Sequence, residues 1–239
     1  MLKKDLIANN PLGVLTADAK GNEVSQRMGL VISRPGVGKT AILVQIALDN
    51  MLQGKQVMHV SVGQNIEKTK FWYDDIINDI TAGAKVEDVE AVKFEIIRNR
   101  MIMTFNNSTF SRPKLEERLN DLIQQDIFRP SCLVIDGLDF AKIGRQLLED
   151  IRDMQKTKGM NIWFSAVCHR DDQGQQEAGS NDLPAALQEN AELFDTVLML
   201  QPDSQGDGKI FLNIIKDNTG CVEPGRSLRL DPTSMVVWG

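Results

Sequence analysis

The sequence predicts an α/β fold, with a mostly parallel central sheet flanked by helices and antiparallel strands added at the C-terminal end. Three features predict it. A short apolar run, Met28 to Ile32, leads through the Gly-rich turn Ser33-Arg34-Pro35-Gly36-Val37-Gly38-Lys39-Thr40 into a helical pattern, Ala41 to Leu52. Strand-like runs then alternate with helical periods as far as residue 168. After residue 195 strand-like runs follow one another with no helical pattern between them.

The elements can be justified in chain order. Residues 1–25 read as short helix and turn material, broken at Asn9-Asn10-Pro11 and Lys20-Gly21-Asn22, and are expected to pack as a lead-in on a main domain of residues 26–239. The helix after Lys39 is apolar at Ile42, Leu43, Ile46, Ala47 and Leu52 and stops at Gly54-Lys55. Gln56 to Val62 is a second strand, ended by Gly63-Gln64-Asn65. Two helical segments follow, 66–81 and 86–99. The first carries Phe71-Trp72-Tyr73, read as helix packing or a subunit contact rather than base stacking, because adjacent helical residues cannot all face one ligand. Met101 to Phe105 is a third strand, and a helix opened by Ser111-Arg112-Pro113 runs to Phe128. The strand Cys132 to Asp136 ends in an acid. A helix from Ile143 to Lys158 and a strand from Asn161 to Val167 lead to Cys168-His169-Arg170. A polar loop, 171–182, precedes a short helix, Ala185 to Leu193. Thr196–Leu200, Lys209–Lys216, Ser227–Leu230 and Val236–Trp238 close the chain as strands.

Composition excludes several classes. The 239 residues are 42% apolar and 25% charged, which suits one large domain with a sizeable core. A formal net charge of −6 disfavours non-specific binding to nucleic acid or anionic membrane. There is no apolar run of about 18 residues and no apolar signal region after Met1-Leu2-Lys3-Lys4-Asp5. Cys132, Cys168 and Cys221 fit neither a disulfide framework nor a metal motif. The expectation is a cytoplasmic protein with reduced thiols and no membrane partner.

The turn at residues 33–40 matches the Walker A pattern except at its first position, where Ser33 stands in place of glycine. In such a loop the backbone of Ser33, Arg34, Pro35, Gly36, Val37 and Gly38 would cradle phosphate, with every N–H but the one proline lacks available to it, and the helix N-terminus at Ala41 adds positive potential. Lys39 would reach the β- and γ-phosphates as a point charge. Thr40 would offer its hydroxyl to Mg²⁺. Asp136, closing four apolar residues at a strand's C-terminal edge, is the Walker B arrangement and the second Mg²⁺ ligand.

Taken together, Ser33 to Ala41 resembles the phosphate loop of the RecA-like motor domain in DnaB-type replicative helicases. The resemblance extends to Val60-Ser61-Val62, to Val134-Ile135-Asp136-Gly137-Leu138, to Asn181-Asp182-Leu183 and to Ile214-Ile215-Lys216-Asp217-Asn218-Thr219-Gly220. KaiC-like single RecA domains share the plan. The resemblance implies ATP as ligand, Mg²⁺ as its ion and a homo-oligomer. It also exposes three departures. Where the family has a catalytic Glu, this chain has Gly63 followed by Gln64, with Glu67 the nearest alternative. Cys168-His169 replaces a γ-phosphate-sensing Gln, so His169 is either a phosphate or nucleotide-state contact or a strand-end cap. Lys216 matches a Lys that reaches the neighbouring subunit's γ-phosphate, but Asn218 replaces the Arg beside it. Lys216 is therefore either that contact or a solvated strand-end lysine.

Loss of a base and of an arginine finger together predicts slow hydrolysis. The loop that would face DNA in a helicase, Arg170 to Asp182, carries one Arg against Asp171, Asp172, Glu177 and Asp182, net −3, and would repel a phosphate backbone. It suits a basic protein surface. The leading expectation is an ATP-binding protein with weak or absent hydrolysis, acting as a nucleotide-dependent switch or assembly factor. An active DNA-dependent helicase motor and a non-hydrolysing nucleotide-binding scaffold are the alternatives.

Overall fold

The computed structural model describes residues 2–16, 21–24, 26–82, 85–168, 185–203 and 209–238. Helix α1, Leu2–Ala8, and a 3-10 turn, Pro11–Leu15, open the chain. The turn is capped by the Asn10 side chain, which accepts from the Leu12 N–H. Leu12 and Leu15 are buried in the core.

Strand β1, Met28–Ser33, then leads into α2, Lys39–Leu52, and β2 is Val57–Val62. Helices α3, Ile66–Ile80, and α4, Val86–Asn99, precede β3, Arg100–Phe105. Next come α5, Arg112–Gln124, β4, Cys132–Asp136, α6, Arg145–Lys158, and β5, Asn161–Val167. Helix α7, Ala185–Gln188, and a 3-10 turn, Ala191–Leu193, precede β6, Thr196–Pro202. The last strands are β7, Ile210–Asp217, β8, Ser227–Leu230, and β9, Val237–Trp238.

Among the described residues, nine strands form one sheet in the order β3-β2-β4-β5-β1-β6-β7-β8-β9. The pairings from β3 to β6 are all parallel. Those from β6 to β9 are antiparallel. This is the sheet that the sequence predicts. Its central strands β1, β2 and β4 are buried along their whole length, which is why they read as continuous apolar runs.

Two cores sandwich the sheet. One face packs Val31, Val134 and Leu198 beneath α2, α3 and α4. The other packs Leu133, Ile135 and Phe164 against Leu119 of α5 and Ile151 of α6. Helix α2 is buried at every residue from Ala41 to Leu52, because α1, α3 and α4 cover the side turned away from the sheet.

Two helical segments depart from the sequence reading by more than two residues. Helix α5 stops at Gln124 rather than Phe128, since Asp126 takes a left-handed φ of 56° and the N–H groups of Ile127 and Phe128 turn back to the Leu122 carbonyl. The segment from Ala185 to Leu193 is one turn of α-helix and a separate 3-10 turn. No helix among the described residues is long and apolar enough to cross a membrane.

Candidate functional site

The loop after β1 begins with a residue that is still in the sheet. Ser33 is the last residue of β1, pairs with Val167 and has no left-handed backbone, so the missing first glycine costs no strain. Its hydroxyl donates to the Arg34 carbonyl at 2.8 Å and accepts from Lys39 Nζ at 3.2 Å. The left-handed turns fall where glycine remains, at Gly36 with φ 78° and Gly38 with φ 106°. Gly38 is also the residue from which α2 starts, and no side chain caps that helix end. The free N–H groups at the start of α2 therefore open onto solvent and onto any anion placed there.

Lys39 folds back over the loop, donating to the carbonyls of Ser33 and Arg34 at 3.4 and 3.2 Å. Burial pushes its pKa below the ordinary lysine range, Asp136 and Cys168 pull it up, and the charge of Lys68 adds to the downward push. An anion in the loop would relieve both burial and repulsion.

Thr40 Oγ1 donates to Asp136 Oδ2 at 2.8 Å, although β4 and the strand that leads into the loop, β1, are separated by β5 in the sheet. Asp136 is buried and held from two further sides. Ser165 of β5 donates to Oδ1, and Gln64 Nε2 donates to Oδ2 at 3.4 Å. A hydroxyl and a carboxylate set side by side beneath a helix N-terminus are hard oxygen donors of the kind Mg²⁺ takes with phosphate. The residues present thus fit a Mg·nucleotide: Thr40 and Asp136 would hold the ion and Lys39 the phosphate charge.

The loop opens into a cleft of about 550 Å³, a size typical of small-molecule sites. Its walls include Gly36, Gly38, Lys39, Thr40 and Asp136 from the sequence-predicted set, together with Gln64, Lys68 and Trp72. Sequence reasoning missed Ser165 and Lys68 and set aside Trp72. The spacing of Lys68 and Trp72, four residues apart in α3, could have pointed to one side of that helix, with Gln64 in the turn just before it. The three aromatic neighbours separate as helical geometry requires: Tyr73 is buried, Phe71 is exposed, and Trp72 is half-buried at the cleft.

Lys216 is not brought to the loop. It pairs with Val197, which is level with Leu30 of β1, and its Nζ donates to the Ala191 carbonyl at 2.9 Å. His169 and the acidic loop 170–182 lie outside the described residues.

No protein-family model matches the chain, and no curated protein matches it. Solved structures do. One described as an ATPase domain superposes with a TM-score of 0.66 at 16% identity, covering 90% of this chain and 85% of its own. At that identity the likeness establishes the fold alone.

Proposed function

We propose that the protein binds Mg·ATP at the loop of residues 33–41 and acts as a nucleotide-dependent switch or assembly factor with weak or absent hydrolysis. The observation that carries this reading is the Thr40–Asp136 hydrogen bond at the mouth of the loop. It joins the two expected Mg²⁺ ligands from segments 96 residues apart beside a lysine already turned toward the loop. The RecA-like fold supports ATP as the nucleotide by analogy only.

Slow turnover follows from what stands around Asp136. The tip of β2 offers Gly63 and Gln64, and a neutral amide orients water without accepting its proton. The other carboxylate at the cleft, Asp139, is tied to the Ala141 N–H at 3.2 Å and to Lys142 at 2.7 Å. A site that binds a nucleotide and holds it uncleaved reports nucleotide state to whatever docks on it. That partner would be a second copy of the chain or another protein.

The test is calorimetric titration with ATP, with and without Mg²⁺, alongside mass in solution and phosphate release with and without single-stranded DNA. Wild type is expected to bind ATP only with Mg²⁺ and to change mass or partner binding on doing so, and Lys39→Ala to do neither. DNA-stimulated hydrolysis by a closed ring would replace the switch with a motor. Binding with no change in mass or partner would leave a scaffold.

A further inference from the structure

Resting on the nucleotide-site reading above, we infer that the row Gln64–Lys68–Trp72 is the second wall of that site, with Lys68 meeting phosphate and Trp72 stacking the aromatic base of a nucleoside triphosphate. Gln64 fixes one end of the row at the metal side, through its bond to Asp136. Lys68, in the first turn of α3, lines the same cleft as Lys39. Its side chain makes no hydrogen bond or ion pair among the described residues, and the two cations Lys39 and Lys68 line one cleft with the carboxylates Asp136 and Asp139, the second already tied to Lys142. Trp72 follows after another turn, about 6 Å along the axis of α3.

The direction of the triphosphate decides which end receives the base. Backbone N–H groups of a Walker A loop cradle the α- and β-phosphates, while its lysine and threonine serve the β- and γ-phosphates and the metal. The base therefore leaves from the Gly38 side, away from Asp136. That side is apolar. Met235 sits there with its Cε only 2.0 Å from where a Gly38 Cβ would stand, and both Met235 and Trp72 line the cleft. The Trp72 ring is held edge-to-face against Phe71 at 6.4 Å. A flat aromatic surface and a polarisable thioether lining one cleft beside a phosphate site is the chemistry that takes a base.

Titration calorimetry with two probes, Mg·ATP and Mg·tripolyphosphate, separates the base contact from the phosphate site. Trp72→Ala is expected to weaken ATP about tenfold and leave tripolyphosphate unchanged, since stacking of one base on an aromatic ring is worth about that much. Trp72→Phe is expected to recover most of the loss. Lys68→Ala is expected to weaken both probes alike. Unchanged ATP affinity in Trp72→Ala, or equal weakening of both probes, overturns the assignment of Trp72. Wild-type binding of neither probe would overturn the phosphate site itself, and this inference with it. Retained tripolyphosphate binding reports that a variant is folded. Should Trp72→Ala not fold, Trp72→Leu keeps the bulk without the ring and is read in the same way.

Discussion

Gly63 shows what a single position allows. Its φ is 67°, and a Cβ there would stand 2.4 Å from the Asn107 carboxamide oxygen. A glutamate at residue 63 would be strained by that left-handed φ and would have to displace the Asn107 side chain. Gln64 already reaches Asp136, which makes Gln64→Glu the cleaner way to supply one. That substitution is expected to raise phosphate release roughly a hundredfold, the lower end of what general-base catalysis supplies. Unchanged release would place the limitation in the missing cation instead. His59 makes a prediction of another kind. It is fully buried on β2, with Nδ1 3.1 Å from the Tyr73 hydroxyl and Nε2 without a partner among the described residues. Burial lowers its pKa to about 4, with Asp136 raising it and Arg100 lowering it further. Below pH of about 6.5 the unfolded chain takes up a proton that the folded chain refuses until pH of about 4. Stability should therefore fall as pH drops through that window, by about 3 kcal/mol from this group, and flatten below it. Urea unfolding from pH 7 to pH 4 should show that much less acid loss in His59→Asn than in wild type. Parallel curves for the two chains would refute the assignment.

Elements are held in place by a few such side chains. Arg152 of α6 grips Asp195, just before β6, through two bonds of 2.5 and 2.7 Å, and also donates to the Leu193 carbonyl at 3.1 Å. Asp195 Oδ2 in turn accepts the Met28 N–H at 2.7 Å, tying α6, β6 and the start of β1 together. Arg152→Ala is expected to cost about 2 kcal/mol in urea unfolding, less than a fully buried pair because both side chains are 19% exposed. Asp195→Asn, which can keep the Met28 bond, should cost less than Arg152→Ala. A loss within error of zero for both would make the cluster ornamental. At this scale much of the molecule was legible in the sequence. Strands β1, β2 and β4 show as apolar runs because both faces are covered, and Gly38-Lys39-Thr40 announces α2. The end of α5 was not legible, because a left-handed Asp126 leaves no mark that periodicity detects. Nor was Ser165, which becomes part of the site only when β5 inserts between β4 and β1. The loop and Asp136 are local motifs, whereas the residues that complete the cleft depend on strand order and on the path of α3.

The whole molecule puts its remaining candidate, Lys216, on the wrong side for its own loop. Pairing through β6 places it level with Leu30, three residues short of Ser33, or about 10 Å down the strand direction. Its ammonium points to the Ala191 carbonyl in the 3-10 turn beside α6, while the helix that starts from the loop, α2, covers the opposite face. Burial lowers its pKa, and Asp195 and Glu192 offset part of that, so the group sits in a local network of its own. A lysine so placed cannot contribute to ATP binding within one subunit without β7 leaving the sheet. It can contribute only to a site offered by a neighbour. Lys216→Ala is therefore expected to leave the ATP affinity of the isolated chain within about twofold of wild type, since no direct charge contact is lost. If ATP drives association, the same variant should need more protein to reach the associated mass, because each interface would lose one cation facing phosphate. Calorimetry at low protein concentration and light scattering across a concentration series measure the two effects separately. Weaker ATP binding with unaltered association would place Lys216 in its own subunit's site and contradict the register of β6 and β7; no change in either would make it a structural lysine, whose work is the bond to Ala191.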